Sequence, residues 1–211
     1  MKGFFSYLKR NPTLGVGGAM LLILLGFTTI GRLFINPEDA YKQTMSMNQP
    51  PSKEHPFGTE AQGRDLLTMM VMGTGMTLQV GAIAGAIGLG IGIMLGFVAG
   101  YYGGMLDTVI TSVIDIYMTV PSFLILILIA TTFKNITLGI VEMGVIVGLV
   151  SWAGSARGIR SQVLTMRERP FVMMAKLSGM GSFEIVMKEL VPNLLPFLVM
   201  SLAQSVYGGI M

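Results

Sequence analysis

The chain has 211 residues, of which 52% are apolar and only 12% charged, with a formal net charge of +3 and no cysteine. Soluble domains carry about 25% charged residues, so this composition points to lipid as the solvent; the missing cysteines exclude a disulfide framework and a thiolate metal site. The single histidine, His55, builds no metal centre by itself, and a charge of +3 gives no argument for nucleic acid.

A membrane helix needs about 20 predominantly apolar residues. The first such stretch, 13–35, follows Lys2, Lys9 and Arg10. It is too long for a signal peptide and no small-residue cleavage site follows it, so a retained first helix is expected. Residues 36–65 hold Pro37, Pro50, Pro51 and Pro56 among charged residues and read as an extramembrane segment. A second span is expected over 76–100. Its Gly88, Gly92, Gly96 and Gly100 fall four apart, near one helix face, where small residues let two backbones approach closely. Tyr101 to Gly104 suit an interfacial turn. A third span, 106–132, contains Pro121, where a kink or break is expected. A fourth covers 137–156, residues 157–186 are polar and basic by comparison, and a fifth starts near Glu189 and is still apolar at Met211.

Lys and Arg set the orientation. With the N-terminus in the cytoplasm and alternating spans, the inner side holds Lys2, Lys9, Arg10, Arg157, Arg160, Arg167, Arg169, Lys176 and Lys188, against Arg32, Lys42, Lys53, Arg64 and Lys134 outside. That asymmetry follows the positive-inside rule. It places 157–186 in the cytoplasm and 36–75 outside.

Within the cytoplasmic segment, Pro170 suits the first turn of a helix. Phe171, Met174, Ala175 and Leu177 or Ser178 then fall near one face, and Gly179 is placed to end the helix in a left-handed conformation. A further helix is expected from Ser182 as N-cap, with Glu184 in its first turn. The product is a short, rigid surface knob.

Two ionisable residues lie inside expected spans, Asp115 and Glu142. Such residues are costly in a membrane and usually have a role. For Asp115 the alternatives are a packing ion pair with Arg157 or Arg160, and a gate near the cytoplasmic mouth. Glu142 lies close enough to its span's end to reach water. Pro121 with Ser122 would break the third helix where it lines a cavity, since irregular backbone is tolerated there; Met118, Met143 and Met200 are candidates for the same path. There is no Gly-x-x-x-x-Gly-Lys-Ser/Thr phosphate loop, no His-Glu-x-x-His and no Gly-x-Ser-x-Gly, so a membrane-embedded enzyme has no support and no catalytic residue is expected.

The segment 167–179 resembles the Glu-Ala-Ala (EAA) loop of binding-protein-dependent importer permeases: Ala175, Gly179 and Pro192 occupy matching places. Met173 and Met174 replace the usual Glu and first Ala, and Glu189 stands where His is common. The run His55-Pro56-Phe57-Gly58-Thr59-Glu60-Ala61-Gln62-Gly63-Arg64-Asp65 resembles the outer-loop signature of the dipeptide/oligopeptide/nickel permeases, with Glu60 in place of Asp. Asp107, Asp115, Pro121, Trp152, Ala156, Arg157 and Arg160 fit the same pattern.

The resemblance implies an all-α polytopic protein, the transmembrane domain of a type I ATP-binding-cassette (ABC) importer. Five of an expected six spans are visible, so the chain is expected to lack its final helix. It divides into 1–75 (tail, first helix, outer segment) and 76–211 (permease core). Phe171, Met174, Ala175, Lys176, Gly179 and Met180 are the expected ATPase-coupling residues; Asp115, Met118, Pro121 and Ser122 are pathway or gate candidates. For His55, Pro56, Gly58, Thr59, Gly63, Arg64 and Asp65 a structural role is expected, Gly58 and Gly63 making turns and Arg64-Asp65 capping the approach to the second span. Expected partners are a sister permease, two cytoplasmic ATPases, an extracytoplasmic solute-binding protein and the lipid bilayer of the cell (inner) membrane, but no nucleic acid. No cofactor is expected on this chain; ATP and Mg belong to the ATPases. The expected cargo is a peptide carried by alternating access. The alternatives are nickel or another small solute, or an ion-coupled secondary transporter.

Overall fold

The computed structural model describes residues 12–41, 47–134 and 136–210, with side chains from Val16 onward. Lys2, Lys9, Arg10 and Lys42 lie outside the described residues. Every named element is helical; one isolated antiparallel bridge joins Thr59 to Asp65. The chain forms two compact units, Met1–Thr77 and Leu78–Met211.

In the first unit, α1 is Pro12–Gly31, 20 residues, so the first helix expected over 13–35 is present but ends at Gly31. A short 3-10 turn, Pro37–Ala40, starts where the Asn36 side chain accepts from the Glu38 amide at 3.3 Å. The first turns of α2, Leu66–Tyr102, meet α1 closely: a Cβ on Gly31 would lie 3.0 Å from Val71, and Gly75 faces Thr28.

The second unit is organised around the rest of α2. This helix has 37 residues, about 55 Å at 1.5 Å per residue, so it extends well beyond a hydrocarbon core of about 30 Å. The glycine stripe read from the sequence has found its partner. Gly88, Gly92, Gly96 and Gly100 meet Ser151, Ser155, Ala156, Ile159 and Val163. Gly81 and Gly85 receive Val206 and Ile210, and the pattern is returned by Gly144 and Gly148, which receive Ile83 and Ile87.

Two of the expected spans are bent pairs. α3 (Gly104–Thr119) and α4 (Ser122–Thr132) meet at 73° across Val120-Pro121, the break that Pro121 predicts. α5 (Ile140–Val150) and α6 (Trp152–Arg167) meet at 48° at Ser151. This second break corrects the reading of 137–156 as one span followed by a polar stretch. Helix continues to Arg167 because Ala153, Ala156, Ile159 and Val163 recur at helical spacing and are buried, while Arg157 and Arg160 find acidic partners on α3.

After α6 come α7 (Pro170–Leu177), α8 (Ser182–Ile185), a widened turn at Val186–Leu190, and α9 (Val191–Ile210). Ser182–Ile210 forms one 29-residue apolar stretch, so the fifth span begins earlier than Glu189. The widened turn has a local cause: Pro192 offers no amide and its ring crowds the carbonyl four residues back. Asn193 Nδ2 donates to the Glu189 carbonyl at 2.7 Å, pairing one group near that turn. Gly181, not Ser182, is the N-cap of α8.

By length and composition, among the described residues, two helices can cross a membrane and four spans result if each bent pair counts as one; α1 adds a shorter apolar helix. The main core joins Leu89 and Phe97 of α2, Ile159 and Val163 of α6, Val172 and Ala175 of α7, and Ile185, Leu190, Leu194 and Leu198 beyond them. A second cluster sets Ile114 of α3 against Ala153 and Ala156 of α6. No residue of α4 is buried; Phe123, Leu124, Ile127 and Leu128 are all exposed. An apolar face of that extent needs lipid or another protein over it.

Candidate functional sites

In the first unit, the signature 55–65 folds into a hydrogen-bonded knot. Gly58 and Gly63 take φ of 77° and 76°, the left-handed region that only glycine enters without penalty. The His55 carbonyl accepts from Ser52 and Gly58 amides, and the Gln49 amide donates to Thr59 Oγ1 at 2.9 Å. Asp65 closes the knot: Oδ1 accepts from the Thr68 amide at 2.7 Å, capping α2, while Oδ2 lies 2.9 Å from His55 Nδ1. Arg64 pairs with Glu60, and Pro56 and Phe57 remain exposed. The turns at Gly58 and Gly63 and the cap by Asp65 are the local features read from the sequence.

Burial alone would raise the Asp65 pKa, but the bonds from Thr68 and His55 outweigh it and hold the carboxyl below its ordinary value. A carboxylate held low in the folded state contributes stability above its unfolded pKa and loses it as pH falls through the folded one. Amide-exchange protection at Thr68 is therefore expected to drop as pH falls below about 4, near the unfolded value. Asp65→Asn should lower protection at neutral pH and abolish that acid dependence. Equal protection of the wild-type amide at pH 5 and pH 2 would refute the capping role.

In the second unit the two helix breaks meet. Met118, Pro121 and Ser122 line a cavity of about 350 Å³ together with Tyr117, Val150, Ser151 and Gly154, so three of the four gate candidates share one site. Tyr117 pins the junction: its hydroxyl donates to the Val150 carbonyl at 2.8 Å and its ring lies 5.3 Å from that of Trp152. A carbonyl freed at the end of α5 is thereby paired. The fourth candidate, Asp115, is absent from that lining and pairs with Arg157 of α6. One rung below, Arg160 forks onto Asp107, with Nη2 donating to Oδ2 at 2.7 Å, and Thr111 donates to Asp107 Oδ1 at 3.3 Å. Arg167 Nη1 donates to the Gly100 carbonyl at 2.9 Å. One face of α6 is thus a basic ladder that ties α3 and α2 together. Glu142 is exposed in the first turn of α5, where the helix dipole favours a negative charge.

The knob is built as its sequence predicts. Pro170 occupies the first turn of α7. At the other end Gly179 has φ 81°; its amide bonds the Lys176 carbonyl at 3.0 Å and that of Met180 bonds Ala175 at 3.2 Å. That pair of bonds is a Schellman closure. The residues named for one face divide between core and surface. Val172 and Ala175 are buried in the core, and Phe171 and Met180 are half-buried against it. Met174, Lys176 and Gly179 are exposed, together with Met173, Leu177 and, on α8, Phe183. Ala175 packs into the core cluster of this subunit. Its small side chain suits the close packing of α7 on the subunit.

Tyr117, Ser155, Ser201, Gln204 and Ser205 were not singled out from the sequence. The signal for the last three was present: polar residues at i, i+3 and i+4 in an otherwise apolar helix.

Comparison with known proteins places these features in one context. The pattern of the family described as "Binding-protein-dependent transport system inner membrane component" matches residues 92–211. The chain is 32% identical over 204 residues to the dipeptide transport system permease protein DppC of Bacillus subtilis (strain 168), covering 96% of this chain and 62% of that protein. It is 37% identical over 189 residues to the oligopeptide transport system permease protein OppC of Escherichia coli (strain K12), covering 87% and 61%. Against OppC of Salmonella typhimurium the figures are 42% over 156 residues, 74% and 50%. The chain thus spans one half to just under two thirds of the length of these curated relatives.

Proposed function

The chain belongs to the family of binding-protein-dependent transport system inner membrane components, and on that premise we propose that it is a membrane-spanning subunit of an ATP-driven peptide importer. Its relatives are named for dipeptide and oligopeptide transport, which favours peptides over nickel or other solutes. The N-terminus faces the cytoplasm, following the distribution of Lys and Arg. The complex comprises a sister permease, two cytoplasmic ATPases that bind ATP and Mg, and an extracytoplasmic binding protein that delivers the cargo.

The observation that carries this reading is the form of the knob. It exposes Met173, Met174, Leu177 and Phe183 beside Lys176 while Val172 and Ala175 root it in the core. Met-rich apolar surfaces adapt to a partner that changes shape. An ATPase cleft that closes on nucleotide would push α7. The shared core carries the push to α6 and α9, and the Arg160–Asp107 and Arg157–Asp115 pairs carry it to α3 and the Pro121 elbow. Only a difference in ATPase contact between two states of the subunit shifts that equilibrium.

The test is reconstitution of the full-length chain with its partners in proteoliposomes. Replacing both Met174 and Leu177 with Asp should reduce ATP-dependent peptide import about 30-fold or more, the scale of losing an interface hot spot, with loss of ATPase subunits on purification. Peptide uptake by the permease alone, driven by an ion gradient and indifferent to ATP, would refute the reading in favour of a secondary transporter.

A further inference from the structure

We infer that the cleft between α6 and α9 is a binding surface for the main chain of a passing peptide, an assignment that rests on the importer reading. The cleft encloses about 270 Å³ and adjoins the elbow cavity, with which it shares Ser151, Gly154 and Gly208. Its polar lining is Ser151, Ser155, Ser201, Gln204 and Ser205, with Phe197 the one large apolar side chain.

Three observations point to a ligand. First, the hydrogen-bonding capacity exceeds what the protein uses. Ser155 and Ser205 bond each other at 3.0 Å, but the Gln204 carboxamide and the Ser201 hydroxyl have no side-chain partner among the described residues. Ser201 is only 7% exposed, yet no buried side-chain oxygen or nitrogen is left unpaired; its hydroxyl therefore opens into the cleft. Unpaired hydroxyl and amide groups within apolar helices need water, a ligand or a neighbouring helix, since lipid offers no partner; a cleft that encloses volume between its own two helices favours the first two.

Second, the cleft starts at Ser151, where one span breaks, and adjoins the cavity that holds the other break at Pro121. Broken backbone at membrane depth is tolerated where it lines an aqueous path. Third, no charged side chain lines it. A site for a metal chelate or a charged side chain would place a counter-charge or a ligating group there. Hydroxyls and a carboxamide, which both donate and accept, match neutral amide N–H and C=O groups. Such a surface reads what every peptide shares and ignores its side chains, as a channel carrying varied sequences requires.

These 211 residues hold no cysteine, so in a full-length subunit cleared of any other cysteine Ser205→Cys and Val199→Cys each introduce a single thiol; Val199 is exposed on α9. In the full-length complex with its ATPases and binding protein, a charged methanethiosulfonate should modify Ser205→Cys and not Val199→Cys. Tri-alanine imported with ATP should slow that modification, and Gln204→Leu should lower tri-alanine import about tenfold. Labelling of Ser205→Cys that is absent, or indifferent to peptide, in a complex that imports normally would overturn the cleft assignment and leave the importer intact. Wild-type import by Gln204→Leu would overturn it as well. A complex that hydrolyses ATP and moves no tri-alanine would instead overturn the importer reading, and the proposed occupant with it.

Discussion

Gly96→Leu is expected to cost the subunit about 3 kcal/mol or more, at the upper end of what overpacking does to a dense interior. A Cβ at Gly96 would lie 2.9 Å from the Ala156 carbonyl oxygen and 2.9 Å from Cβ and Cγ2 of Ile159. Neither neighbour has a flexible end to withdraw: one is backbone and the other the branch point of a stiff side chain. The helices must separate, and with them the contacts at Gly92 and Gly100, which depend on the same crossing. Gly90 gives the contrast. It lies on the same helix, is exposed, and has nothing within 4 Å of an added Cβ. Gly90→Leu should be neutral or stabilising by up to about 1 kcal/mol, because leucine is the better helix former. Thermal inactivation of the detergent-purified complex measures both. Equal midpoints for the two variants would mean that the α2–α6 contact does not hold the subunit together.

Arg160→Ala is the second large effect, expected at about 2–3 kcal/mol, between the scale of an exposed pair and that of a fully buried one. The fork onto Asp107 is largely shielded, with side chains 25% and 19% exposed, whereas the Arg157–Asp115 pair is half exposed at 49% and 56%. Loss of Arg160 strands the Asp107 carboxylate between α3 and α6 with only Thr111 bonded to it. Arg157→Ala should cost about 1 kcal/mol or less, as exposed pairs do. Arg160→Lys should recover only part of the loss, since an ammonium cannot reproduce the two-pronged bond. The exchange Asp107→Arg with Arg160→Asp should restore more stability than either substitution alone. If Arg160→Ala and Arg157→Ala prove equally mild, the ladder is surface decoration and cannot relay motion from the knob to the elbow.

These two sites show how differently sequence speaks about its own structure. The glycine stripe was legible because a period of four on a helix marks one face, whatever lies against it. So were the break at Pro121, the left-handed Gly179, the turns at Gly58 and Gly63, and the capping role of Asp65. Each depends on chemistry within a few residues of itself. The bend at Ser151 carried no such mark. It rests on the Tyr117 hydroxyl meeting the Val150 carbonyl 33 residues further along the chain. Which face of α7 turns inward, burying Val172 and Ala175, was equally silent, because Phe171, Val172, Met173 and Met174 offer apolar residues in nearly every direction.

From its sequence alone the chain is a membrane-embedded, all-helical member of its family with a short capped knob and a proline-broken span. Composition and local backbone chemistry suffice for that. Which helix fills the glycine stripe, which arginine pairs with Asp107, and how Ser155, Ser201, Gln204 and Ser205 come to share one cleft were decided by tertiary structure. Those outcomes depend on which faces of α6 and α9 can approach α2 within contact distance. That is a property of three helices packed together, and no single segment contains it.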